Sequence, residues 1–352
     1  MGVVYRAAVA ALIAALLVAC ARGSGPTQLL ETGSSLLYPL MNLWIARYQA
    51  QHPDVQITTQ STGSGTGIAQ AMGGVAQIGA SDAYMPTAAV RATGLLNLPV
   101  VVAAQLIDYN LPEVRGHLRL SGPLLAGMFS GAILYWDDPR ILAINPTLRG
   151  VLPHQQIVPI HRSDGSGDTF VFTQYLSQTT PSWNAGPGFG TSVSWPDVAN
   201  AVGSEGNPSV LQACQNTKYS IGYIGISFMD EVVQAHLGIA VLRNRAGRYV
   251  APSFETIGSA AAAFQREIPS DERISLIDAP GAQSYPLVNY EYVIVNPHQH
   301  DPRVRAALKD FLAWVLSPNG GQHREFLDVV HFLPLPPPTA ALSRRQLASI
   351  HG

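Results

Sequence analysis

Three stretches of the chain set small hydroxyl residues and glycine between a strand-like and a helix-like pattern: Gly33-Ser34-Ser35-Leu36, Gly63-Ser64-Gly65-Thr66-Gly67 and Gly165-Ser166-Gly167-Asp168. The start of a helix leaves backbone N–H groups without an intrahelical acceptor and carries the positive end of the helix dipole, so each stretch can seat an anion. One such turn would be read as simple N-capping, for which Ser is a common choice. Three in one chain, with Arg162 just ahead of the last, point to an oxyanion site.

Acids stand among these donors. An ionised carboxylate repels a bound anion unless that anion still has a proton to give. Phosphate near neutral pH is a mixture of mono- and dibasic forms, and both carry a P–OH; sulfate carries none. A buried Asp, which only accepts, gains a charge-assisted hydrogen bond from the first and meets lone pairs on the second. Leaving such a charge unpaired costs about 3–5 kcal/mol, several hundred-fold or more in affinity. Asp82, a lone carboxylate just after the strand-like "IGAS", is the expected filter. Asp168 has two readings: a second acceptor for the monobasic form, or a negative charge complementing its helix dipole. Asp164 is placed to orient Arg162.

Other chemistries fit less well. A secreted serine hydrolase or phosphatase could use Ser166 or Ser64, but neither sits in a G-x-S-x-G elbow and no His is close in sequence. No catalytic residue is therefore assigned. Two cysteines and no paired His spacing exclude zinc and iron–sulfur sites, and no metal or cofactor is expected. With 21 basic and 23 acidic residues and no basic run, nucleic acid is excluded as a partner.

The elements that must position these residues alternate between strand and helix, an α/β class. The 352 residues are 47% hydrophobic and 12% charged, enough for two domains with their own cores. Two long apolar strands, at 98–112 and 285–295, bracket the middle of the chain and read as crossovers. The expected division is a discontinuous domain I, 27–105 plus 288–352, and a domain II inserted at 106–287, with a ligand cleft between them. An amphipathic helix is expected over 303–316, an Ala-rich one over 258–268, and a polyproline-like tail at "FLPLPPPTAAL".

The N-terminus is a separate unit. Arg6 precedes the apolar run Ala7–Ala19, too short to span a membrane and suited to a signal peptide over 1–19. Leu17-Val18-Ala19-Cys20 resembles a bacterial lipobox, which would make Cys20 the lipidated first residue of a tether over 20–26. Cys214 is then left without an intrachain partner and reads as a buried, inert thiol.

Taken in order, "ETGSSLLYPLMNLW", "STGSGTGIAQ", "IGASDA", "WDDPRI", "HRSDGSGDTFVFTQYLS", "YIGISF" and "YPLVNYEYVIV" resemble the phosphate-binding lipoproteins of ABC-type phosphate-specific transport systems. The likeness spans nearly the whole mature chain. It implies a two-lobed periplasmic-binding-protein fold of type II-like form, with two hinge strands, closing over one phosphate. By position it implies contacts from Ser34, Ser35, Leu36, Ser64, Asp82, Arg162, Ser166, Gly167 and Asp168. It also implies delivery to the importer's permease subunits and a monomer held at the outer face of the cell membrane by its lipid. Two departures stand out: Asp168 replaces the Thr of many relatives, and Ser220 replaces a Cys that close relatives place six residues after Cys214.

Overall fold

The computed structural model describes residues 25–352. The signal peptide and the Cys20 lipobox lie outside the described residues.

The described part of the chain is built on a nine-stranded sheet. Its strands are β1 (Thr27–Gly33), β2 (Val55–Ser61), β3 (Ile78–Ser81), β4 (Leu96–Tyr109), β5 (Val158–Arg162), β6 (Val202–Ser204), β7 (Ser220–Gly225), β8 (Gly238–Ile239) and β9 (Val288–Val295). The spatial order is β2-β1-β3-β9-β4-β7-β5-β6, with β8 alongside β4. β1 runs parallel to β2 and β3, β5 runs parallel to β6 and β7, and the central β9 and β4 are antiparallel to their neighbours. A separate three-stranded sheet forms from residues 119–120, 241–243 and 249–250.

β4 carries the organisation. Its first part, through Ala104, pairs with β9; from Gln105 onward it pairs with β7 instead. Only its first residue is not fully buried, which is why the sequence there is a near-continuous Val, Leu and Ala run rather than an alternating one. Pro99 cannot donate to a ladder, and the pairing with β9 is irregular beside it: Val101 faces Glu291 and Pro99 faces Tyr292, leaving Val100 as the extra residue.

Helices cover the sheet. α1 (Tyr38–Gln51) buries Leu40, Met41, Trp44, Ile45 and Tyr48, and the Trp44 indole N–H donates to the Gly321 carbonyl at 2.9 Å. α2 (Ser64–Met72), α3 (Gly167–Thr179) and α4 (Gly206–Asn216) bring residues to the site described below. α5 (Pro302–Val315) matches the amphipathic expectation and starts from an Asp301 cap. The Ala-rich helix begins earlier than expected, at Phe254, because Ser253 and Thr256 form a reciprocal capping box, and it ends at Ala263.

The tail corrects the sequence reading. Residues 337–348 form a helix, α6 (Pro337–Ala348), instead of continuing a polyproline run. Pro336 takes the cap position and the next two prolines occupy the first turn, where a missing N–H costs nothing and a fixed φ is already helical. Cys214 is buried with a free thiol, against the Asp108 carboxyl, and burial pushes its pKa well above the ordinary value. No described helix is long and apolar enough to cross a membrane.

Candidate anion-binding site

All three turns converge, and they do so out of water. Ser34, Ser35, Leu36, Ser64, Asp82, Arg162, Ser166 and Asp168 are each at most 3% exposed, and Gly167 is buried with them. The first turn leaves β1 and leads into α1. The second is the start of α2, and the third joins β5 to α3. Three hydroxyls are held in one manner. Ser35 Oγ accepts from the Asn207 backbone and side-chain N–H groups at 3.2 and 3.0 Å. Ser64 Oγ accepts from Asp82 N at 3.2 Å, and Ser166 Oγ accepts from Thr169 N at 3.3 Å. Each hydroxyl has its acceptor lone pair engaged by an N–H, which leaves its own hydrogen to donate elsewhere. The Leu36 carbonyl is fixed by the Ser227 hydroxyl at 2.8 Å.

Asp82 follows β3, and its carboxyl is framed by two groups. Ser34 Oγ donates to its Oδ1, while the same hydroxyl accepts from Leu37 N at 3.0 Å. Ser34 is therefore turned to the carboxylate and to the entry of α1. The second group is Glu291, fully buried on β9, whose carboxyl lies 3.2 Å from Ser34 Oγ. Strand register puts it there: Tyr292 pairs with Ser81, so Glu291 comes beside Asp82 at the end of β3. Asn289 donates to its Oε1 at 2.8 Å. Burial raises the pKa of Asp82, against the lowering effects of Glu291, Ser34 and Arg162. Burial and the facing Asp82 raise Glu291 well above the usual carboxylate range.

Across the cleft, Arg162 ends β5 and holds two acids. Its Nε and Nη2 form a fork onto Asp164 at 2.7 and 2.5 Å, and Nη1 reaches Asp168 Oδ2 at 2.7 Å. The expected orienting role of Asp164 matches this geometry. Burial works against the Asp164 charge, but the fork outweighs it and its pKa is lowered. Asp168 is more deeply buried and has one contact to the guanidinium. Burial and Asp82 push its pKa up to about 7, against Arg162, Gln105 and Asn207. Burial disfavours the Arg162 charge, yet Asp164 and Asp168 together raise its pKa. Behind the pair, Tyr223 Oη accepts from Arg162 N at 2.9 Å and meets Thr169 Oγ1 at 2.7 Å.

The halves meet through glycine. Gly65 N donates to the Gly165 carbonyl at 2.7 Å, and a Cβ on Gly65 would stand 3.0 Å from Gly165 Cα. A Cβ on Gly167 would overlap Asp82 Oδ2 and Ser64 Oγ, so only glycine lets the start of α3 come this close to the filter. Beside this seam a surface cavity of about 310 Å³ is lined by Ser61, Thr62, Gly63, Asp164, Glu205, Gly206, Pro208 and Ser209.

Three residues of the site were not singled out in the sequence. Asn207, fully buried at the start of α4, donates to Asp168 Oδ2 at 2.9 Å as well as to Ser35. Gln105, at the partner switch of β4, donates to the Asp168 carbonyl at 2.8 Å. Glu291 had the one usable signal, an acid inside the all-buried strand "VNYEYVIV".

A continuous sheet whose middle strand changes partners, with polar turns from both sides closing on a sealed centre, is the architecture of a two-lobed solute-binding protein. A family model described as the PBP superfamily domain matches residues 21–319. Phosphate-binding proteins PstS are similar along most of their length: that of Methanocaldococcus jannaschii is 36% identical over 314 residues, covering 84% of this chain and 79% of the relative. That of Xylella fastidiosa is 35% identical over 306 residues, covering 87% and 80%. The chain belongs to the PstS family of phosphate-binding proteins. In fold it is similar to the high-affinity periplasmic phosphate-binding protein PfluDING, solved with phosphate bound, at a TM-score of 0.69 and 22% identity, covering 91% of this chain and 93% of that one.

Proposed function

We propose that this protein is a non-catalytic, extracytoplasmic receptor that captures inorganic phosphate and delivers it to an ABC-type importer. Family membership supports the role, and one observation carries the ligand: a fully desolvated Asp82 among the N–H and O–H donors of three turns and Arg162. Such a centre holds a tetrahedral oxyanion that still has a hydrogen to give. Ser35, Leu36, Ser64, Asp82, Arg162, Ser166, Gly167 and Asp168 are the proposed contacts, and Ser34, whose hydroxyl donates to Asp82, takes part by holding that acceptor in place. Asp82 takes one P–OH. Asp168 already accepts from Arg162, Asn207 and Gln105, and its remaining lone pairs suit a second P–OH of the monobasic form.

The lobes on either side of the ligand would be 27–105 plus 288–352 and 106–287. A ligand touching both lobes favours the closed state. The receptor would act as a monomer tethered to the membrane by a lipid on Cys20. Nothing favours the hydrolase reading, since among the described residues neither Ser64 nor Ser166 hydrogen-bonds a histidine. Isothermal titration tests the proposal. Phosphate should bind and excess sulfate should not compete; tight sulfate uptake would refute the filter.

A further inference from the structure

We propose that Glu291 is a specificity-positioning residue of the site: held as the neutral acid, it donates its proton to Asp82 and so keeps Asp82 an anionic acceptor for the ligand's own hydroxyl. The inference rests on the phosphate-receptor reading and goes beyond it by naming a residue that sets the filter's charge.

Geometry requires a proton in this pair. Ser34 has a single hydroxyl hydrogen, which goes to Asp82, yet Glu291 Oε2 also lies 3.2 Å from Ser34 Oγ; an ionised Glu291 would bring only lone pairs to that contact, so the trio needs one more hydrogen. Asn289 engages Glu291 Oε1 at 2.8 Å as a donor, which leaves Oε2, the oxygen 3.2 Å from Ser34 Oγ, on the Asp82 side. Around Asp82 the partners then all donate: Ser34 O–H, Glu291 O–H and the hydroxyl of the ligand.

The charged surroundings put the proton on Glu291. The charges facing it are Asp82 at the end of β3 and, further off, Asp168 at the start of α3. Arg162, the cation of the site, acts on Asp82 and binds Asp164 and Asp168. On the β4 side its pair is the apolar Val101. Glu291 thus has a carboxylate and amide or hydroxyl groups around it, while Asp82 has the benefit of the guanidinium. Of the two acids, Asp82 is the better placed to be charged. Without a second carboxyl donating to it, Asp82 would be a buried charge with fewer partners. With Glu291 ionised as well, the pair would repel the anion it selects.

The consequence is directional. Binding is intact while Glu291 keeps its proton and weakens as alkaline pH removes it. Glu291→Gln supplies a donor of the same shape that cannot ionise.

The test is titration of inorganic phosphate into the full chain and into E291Q and E291A across neutral to strongly alkaline pH, with infrared difference spectra of wild type minus E291Q. At neutral pH E291Q should bind within a few-fold of wild type, whereas E291A, which leaves Asp82 short of a donor, should bind about ten-fold or more weakly. The alkaline loss seen in wild type should be reduced in E291Q, and the difference spectrum should show a protonated carboxylic acid carbonyl. Superimposable pH profiles for wild type and E291Q, or a difference spectrum with only a carboxylate band, would overturn the assignment. Failure of wild type to bind phosphate at any pH would instead strike the receptor reading itself.

Discussion

The Asp82 side and the Asp168 side of the site bury their carboxyl groups to the same depth and keep them in opposite ways. Asp82 has a second carboxyl and a serine hydroxyl against it. Asp168 has a guanidinium and two amides. Arg162 is shared: Asp164, nearer the surface, receives the two-pronged contact and a lowered pKa, while Asp168 receives a single contact and a raised one. A lone cation among four acids does not neutralise the site. It leaves acceptor capacity at the centre, which a fully deprotonated ligand could not use.

Substitutions that strike each side in turn sharpen this contrast. Arg162→Ala should have the largest effect, because it strands Asp168 and Asp164 without their cation. We expect destabilisation of about 3–5 kcal/mol in urea unfolding and loss of phosphate binding by titration. An unchanged midpoint would mean that the Asp168 side is not held by charge pairing.

Next in size is a pH effect in the ligand-free protein. Asp168 is shifted up to about 7 from an ordinary 3.8, so the folded state keeps a proton that the unfolded state releases earlier. The stability this lends is complete below about pH 4 and is lost as pH rises toward 7, a change on the order of 4 kcal/mol. Calorimetric unfolding of wild type and Asp168→Asn over pH 4–8 checks it: the variant should lack this component.

Asp82→Asn follows. An amide can donate as well as accept, so phosphate should bind roughly 10–150-fold more weakly and sulfate should begin to compete. Selectivity left intact in competition titrations would break the argument for the Asp82 side. Asn207→Ala is expected to be mildest, weakening phosphate binding about ten-fold for loss of its hydrogen bonds to Ser35 and Asp168 while Arg162 still holds Asp168.

The part of this site that was legible in the sequence is the part made by local geometry. Glycine and serine next to a helix start announce free N–H groups wherever they occur, and Arg162 and Asp164 are two residues apart. Glu291 and Asn207 were hidden because what matters about them is their neighbour. Glu291 meets Asp82 only through the pairing of β9 with β3, some two hundred residues later in the chain, at an irregularity in the β9–β4 ladder. No local pattern records a strand register of that kind. The tail misled for the opposite reason. A run of prolines favours an extended chain, but a proline at the head of a helix is equally at ease, and the residues after it decided the outcome.

Gln105 sits where β4 leaves one set of strands for the other. Its backbone N–H is tied to Leu287, its carbonyl to the Tyr285 hydroxyl, and its side chain to the first turn of α3 through Asp168. A bend of the strand at this residue would draw its amide away from that turn. On the proposed receptor reading, spreading the two halves and slackening the hold on the anion would then be a single movement, so whatever pried the lobes apart would also unload them.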